Sequence, residues 1–246
     1  MATFVRWFDS TSLAGLGATM CTNYRPPEAD LFEAFTDFPA PRFDYPPETY
    51  KDYVAPILRL SDGTRSTDPA TFAMVPRKRI PAGVKVFDTM NARAESVGEK
   101  RSYSGAWKKL QLCLVPCASF YEPNYETGKP VRWRIGVEGG RPFAIAGLWR
   151  AWEDPDGVSL SFTMLTVNAN EHPLMKRFHR PGDEKRSLVI LRPEEYGDWL
   201  GARSPDEARS FLNLFPADDM VAVAAPKSPR TQVPKPDGEA QSSLLD

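Results

Sequence analysis

Apolar and polar positions follow a strand-like pattern most clearly between residues 112 and 167. Four runs there, "LCLVPCASFYE", "VRWRIGV", "PFAIAGLWRAW" and "SLSFTMLTV", come in quick succession. The turn signals "TGKP", "EGGR" and "DPDG" separate them at antiparallel spacing. Upstream, "VAPILRL" and "TFAMV" flank "SDGT" and predict a hairpin or two neighbouring strands; "SLVIL" and "MVAVAA" predict two later strands. Helical patterns are short. They are "PPEADLFEAF", with Leu31, Phe32 and Phe35 on one side, then "SGAWKKL", "NEHPLMKRF" and the proline-opened "PEEYGDWLGA" and "PDEARSFLNLF". "RKRIPAGVKVFDTMNARAES" fits neither period and predicts a long ordered loop. The whole pattern predicts an α+β chain, with an antiparallel, barrel-like sheet core and short peripheral helices.

The two ends depart from this pattern. Residues 1–19, small and glycine-rich around "LAGLGAT", are expected to be an N-terminal extension, either a leader or a misassigned start. Residues 20–225 form the expected domain, and residues 226–246, rich in Pro, Ser, Lys and Gln, an expected disordered tail. Twenty-four prolines in 246 residues favour loops and short strands over a helical bundle. A net charge of −1 excludes global attraction to nucleic acid, so any such binding needs a local basic surface. Three cysteines and no secretory signal point to a reducing compartment, the cytoplasm. No run approaches the roughly eighteen apolar residues that span a bilayer, so no membrane partner is expected. Nothing in the pattern points beyond a monomer.

Four places hold reactive or polar residues that the pattern does not require. Cys21 stands behind Met20; if the chain began there, removal of that methionine would expose a thiol and an α-amine on adjacent carbons. Inside a chain it is an ordinary loop cysteine. In "NARAES", Asn91, Arg93 and Glu95 alternate with alanines and share one side of an extended backbone. They form either a reactive cluster or a loop brace built on an Arg93–Glu95 bridge. Glu122 follows Phe120 and Tyr121; it is either exposed at a strand end or desolvated enough to serve as a general acid and base. His179 lies in "KRFHRPGDEKR", among cations that attract phosphate, or on a solvated loop; His172 is read as structural. Cys113 and Cys117 share one strand face with no second ligand pair, so no metal is expected.

In order along the chain, Cys after Met, "NARAES", "LCLVPCASFYE", "AGLWRAW", "FTMLTVNAN" and "FHRP…SLVIL" resemble the SRAP family, the SOS-response-associated peptidases that include abasic-site-shielding proteins. The resemblance runs from Met20 to Ala225. It implies an SRAP-like fold and a partner, single-stranded DNA containing abasic sites, without a cofactor. It implies that Cys21, as a free N-terminus, captures the sugar aldehyde as a thiazolidine, and that residues ahead of it are removed by a cysteine-peptidase activity. It further implies that Glu122 shuttles protons, His179 assists opening of the sugar ring, Asn91 orients the reacting centre, and Arg93, Arg77 and Arg180 hold the strand. A peptidase acting in trans, or a non-catalytic single-strand binder, would use the same surface differently. The chain departs from the family pattern at four places. Cys21-Thr22-Asn23 replaces Cys-Gly-Arg, Phe72-Ala73-Met74 replaces Trp-Gly-Leu, and Pro123 follows Glu122. "GDEKR" is inserted after Arg180-Pro181.

Overall fold

The structure, a computed structural model, describes residues 23–227. The expected extension and most of the expected tail lie outside them, as does Cys21. The strands are β1 (Asn23–Arg25), β2 (Thr49–Tyr50), β3 (Val54–Ser61), β4 (Thr64–Phe72), β5 (Asn91–Arg93), β6 (Leu112–Cys117) and β7 (Ser119–Asn124). They continue with β8 (Val131–Val137), β9 (Phe143–Asp154), β10 (Gly157–Asn168), β11 (Arg186–Leu188), β12 (Ile190–Leu191) and β13 (Met220–Ala224). Four short helices, α1 (Phe32–Phe35), α2 (Ser104–Lys108), α3 (Tyr196–Leu200) and α4 (Pro205–Ser210), flank them. Among the described residues, no helix is long and apolar enough to cross a membrane.

Strands β10, β4, β3, β6 and β9 pair in that order, and β9 pairs back to β10, so five strands close a ring. An odd ring cannot alternate direction throughout. One seam must run parallel, and it is β4 against β10, with Ala70 opposite Leu160. Every other ring seam is antiparallel, as the hairpin spacing predicts. Strand β5 adds a second parallel pairing to β10, placing Asn91 opposite Met164 and Arg93 opposite Thr166. A second sheet, ordered β13-β8-β7-β1-β2, is antiparallel throughout.

Strand β6 is buried along its whole length, because it faces apolar neighbours on both sides. Cys113, Val115 and Cys117 enter one core with Phe72, Phe120, Phe143 and Phe162. Leu112 and Leu114 enter the other, beneath Trp107 and Trp199. Both cysteines therefore occupy the single face that their spacing predicts, and burial pushes the Cys113 thiol well above its ordinary range. Beside them β9 passes so close that a Cβ on Gly147 would meet Cys113 Sγ, Thr163 O and Val115 Cγ2 at 2.9 Å each. Glycine is needed there for space.

Two expectations about local structure change. "NEHPLMKRF" forms turns and one 3-10 turn, Met175–Arg177, instead of a helix. Pro173 cannot donate within a helix, and His172 Nδ1 accepts the Leu174 and Met175 N–H groups at 3.2 and 3.0 Å. His172 Nε2 then carries the proton and donates to Phe215 O at 2.8 Å, which makes this histidine a structural clamp. In the long loop, residues 77–79 form a 3-10 turn and residues 91–93 a strand, while 81–88 are exposed.

Candidate active site

Glu122 sits in the middle of β7, where its backbone neighbours are strand β8 and, two residues earlier at Phe120, strand β1. The side chain is only 3% exposed, so the reading of an exposed strand-end carboxylate does not hold. His179 comes from the loop after the 3-10 turn at 175–177. Its N–H donates to Pro123 O at 2.9 Å, Asn124 Nδ2 donates to Arg177 O at 3.1 Å, and Phe178 bridges to Asn124. These bonds stitch the loop onto the end of β7. His179 is 4% exposed, which replaces the picture of a solvated charged loop.

The stitching brings the two side chains together. His179 Nε2 stands 3.0 Å from Glu122 Oε2. Among the described residues, Glu122 Oε2 and both His179 ring nitrogens have no aligned hydrogen-bond partner. The pair meets in distance but not in hydrogen-bond alignment, and these three atoms keep their polar capacity unspent. Buried polar atoms are normally satisfied, so this is where an incoming polar group would be stabilised. His179 also has a φ of 64°, a left-handed conformation that costs a non-glycine residue energy and persists only when its surroundings impose it.

Asn91 opens β5, where Tyr103 OH donates to its carbonyl at 3.1 Å and Met90 O accepts from Met164 N and Thr163 Oγ1, each at 2.9 Å. The Arg93–Glu95 bridge weighed from the sequence does not form. Arg93 Nη1 instead pairs with Glu184 Oε2 at 2.6 Å. Glu95 receives both ends of Arg186, at 2.7 and 2.8 Å. Arg180 is exposed and reaches Tyr125 OH at 3.4 Å, near the end of β7. Arg77 lies apart, on the turn after β4, with its N–H donating to Asp52 Oδ1 at 2.8 Å. No hydrogen bond or ion pair among the described residues links Arg77 to the other candidates.

The start of β1 has a polar cluster that the sequence pattern did not single out. Glu48 Oε1 accepts from Asn23 Nδ2, from Arg132 Nη2 and from Tyr50 OH, the last at 2.5 Å. Arg132 lies 3.3 Å over the Tyr121 ring, next to Glu122. Lys227 donates to Tyr50 OH at 2.5 Å. Burial and the Glu48 hydrogen bond together hold the Tyr50 hydroxyl above its ordinary range. The only available signal was charge: a Glu and an Arg 84 residues apart, with no local pattern to join them. Among the described residues, no group of three or more His, Cys, Asp or Glu side chains is placed to hold a metal ion.

Comparison with known proteins gives consistent results. A family model described as "SOS response associated peptidase (SRAP)" matches residues 20–228. The chain is 35% identical over 142 residues to the abasic site processing protein YoqW of Bacillus subtilis, a match covering 55% of this chain and 59% of that protein. It is 28% identical over 111 residues to the abasic site processing protein HMCES of Pongo abelii, covering 34% of this chain and 31% of that one. These matches span less than two thirds of the relatives' own length. A solved Bordetella bronchiseptica protein superposes with a TM-score of 0.74 at 31% identity, covering 83% of this chain and 99% of that one. A Bacteroides thetaiotaomicron protein at 21% identity and TM-score 0.62, covering 83% and 91%, shares the fold.

Proposed function

The chain belongs to the SOS response associated peptidase family, and from that premise we propose that it processes abasic sites in single-stranded DNA by covalent capture through Cys21. Released from the residues before it, Cys21 offers an amine and a thiol. The amine adds to the ring-opened sugar aldehyde and loses water, giving an imine. The thiol then adds to the imine carbon, its proton passes to nitrogen, and a thiazolidine closes. One water leaves overall and no oxidant or metal is consumed.

The observation that carries this reading is the buried Glu122–His179 pair, 3.0 Å apart, with Glu122 Oε2 and both ring nitrogens of His179 free of aligned hydrogen bonds. Each step moves a proton, and a carboxylate beside an imidazole in a dry site is suited to moving it. Glu122 takes the proton from the adding amine and returns it to the leaving hydroxyl. His179 assists opening of the sugar ring. Only Thr22 separates Cys21 from Asn23, a span of at most about 7 Å. Strand β1, which begins at Asn23, pairs with the strand carrying Glu122. Asn91 orients the reacting carbon, and Arg93 and Arg180 take flanking phosphates.

The test is intact mass after incubation with a single strand carrying one abasic site, for the full chain and for a chain starting at Cys21. The Cys21-start protein should gain a heat-stable adduct equal to strand plus protein minus water, and Cys21→Ser should not. If the Cys21-start protein gives no adduct, or gives one that is unchanged in Cys21→Ser, the proposal fails.

A further inference from the structure

Glu184, in "GDEKR", places a carboxylate on the arginine assigned to the strand. Glu184 uses its two oxygens differently. Oε1 accepts from Asn168 Nδ2 and from Arg186 Nη1, each at 2.9 Å, which fixes the carboxylate on the framework. Oε2 faces Arg93 Nη1 at 2.6 Å. Arg186, the anchor, is buried to 1% exposure and is separately held by both oxygens of Glu95 and by Thr166 O at 2.8 Å. Glu184 therefore cannot swing away with Arg93. Arg93 remains half exposed and is gripped by Glu184 through one nitrogen of its fork.

Resting on the reading that Arg93 meets a strand phosphate, we infer that Glu184 is a specificity-determining residue that occupies the phosphate's place on Arg93 and lowers the affinity for undamaged single strands. A guanidinium prefers a carboxylate or a phosphate for the same reason, charge and planar hydrogen bonding. An incoming phosphate must take Arg93 from Glu184 or share it, and in either case lies beside a fixed negative charge. This penalty acts on reversible binding, the only hold the protein has on an intact strand. A strand with an abasic site is retained by a covalent bond, which the penalty does not undo. The carboxylate thus shortens residence on intact DNA and leaves damaged DNA captured.

The test is fluorescence anisotropy of the full chain with a short undamaged single strand, across a salt series. Glu184→Gln is nearly isosteric and keeps an oxygen for Arg186 and Asn168. It should bind about fivefold more tightly at low salt, the scale of one unit charge at close range in a water-like medium. Its log affinity should fall more steeply with log salt, by about 0.7, because one more phosphate is neutralised. Arg93→Ala should weaken binding, and adding Glu184→Gln to Arg93→Ala should restore nothing, since the effect passes through Arg93. Glu184→Asp, which keeps the charge but shortens the reach, should fall between wild type and Glu184→Gln. If Glu184→Gln binds no more tightly while melting like wild type, or gains the same amount in the Arg93→Ala background, the inference is wrong. If Arg93→Ala leaves affinity unchanged, the phosphate role of Arg93 fails as well. If the strand binds no variant and the Cys21-start protein forms no adduct, the functional reading fails and the inference goes with it.

Discussion

Two buried charge clusters lie seven residues apart on the same stretch of chain, and they are built on opposite principles. Around Arg186, Glu95 takes two hydrogen bonds, Glu184 a third and Thr166 a fourth and fifth, through its carbonyl and its hydroxyl. Around the His179 ring, the polar side chain in reach among the described residues is Glu122, and both ring nitrogens and a carboxylate oxygen lack aligned bonds. The first cluster spends both terminal nitrogens of Arg186 within the fold, leaving only its Nε without a partner, and staples the 179–186 loop to β5 and β10. The second holds its capacity back at a residue kept in a left-handed conformation. Burial alone does not mark a candidate reactive group; a buried acid facing a buried base, both with unspent hydrogen bonding, does.

The largest expected effect falls on the unsatisfied pair. Glu122→Gln, in a protein starting at Cys21, should slow adduct formation by roughly 10²- to 10⁴-fold, the usual worth of a positioned acid–base group. Its urea midpoint should stay close to wild type. Equal single-turnover rates would remove Glu122 from the chemistry, and a collapse in stability would make the pair a staple like the other. Arg186→Met reverses the expectation: it should cost about 2 to 3 kcal/mol of unfolding free energy, somewhat under the range for breaking a buried pair. The discount arises because Glu95 and Glu184 are partly exposed and can turn to water.

Acid should sharpen the contrast. Burial alone would push the Glu95 carboxyl up, but hydrogen bonds from Arg186 and nearby backbone hold it below its ordinary 4.5. Glu184 is held down in the same way by Asn168, Arg186 and Arg93. Carboxylates depressed in the folded state add stability above their unfolded value and lose it as the pH falls toward and through the folded one. Wild-type stability should therefore drop as pH is lowered below about 4.5, and the drop should be shallower in Arg186→Met. Parallel slopes would mean that other carboxylates govern acid unfolding. The smallest effect is expected for His179→Asn. Asparagine tolerates left-handed backbone, so stability should change by less than about 1 kcal/mol. A larger loss would assign the imidazole a packing role beyond its chemistry.

The strands and most helices were legible because their signals are local. Alternation in "LCLVPC" assigns Cys113 and Cys117 to one face, and prolines open α4 and the turn before α3. The "NEHPLMKRF" segment misled because its apolar spacing is helical, whereas its capping by the His172 ring cannot be seen in a period. Of the candidate site, Glu122, His179, Asn91 and Arg93 stood out as unusual residue types in unusual places. Their partners did not. Glu184 is 91 residues from Arg93, and Glu48 is 25 residues from Asn23. Such pairings are decided by which loops the closed ring brings side by side, and a one-dimensional pattern does not carry that information.

The odd-numbered ring also sets an order of events during synthesis. Its parallel seam joins Ala70 to Leu160, so four strands must wait, with two edges open, until residues 157–168 have left the ribosome. Closing so long a segment is entropically slow compared with forming the hairpins on either side. Glu122 is made before that moment and His179 after it. A nascent chain truncated before β10 thus carries Cys21 and Glu122 without His179, and on the proposed reading it gains its reactivity only with the last third of the chain.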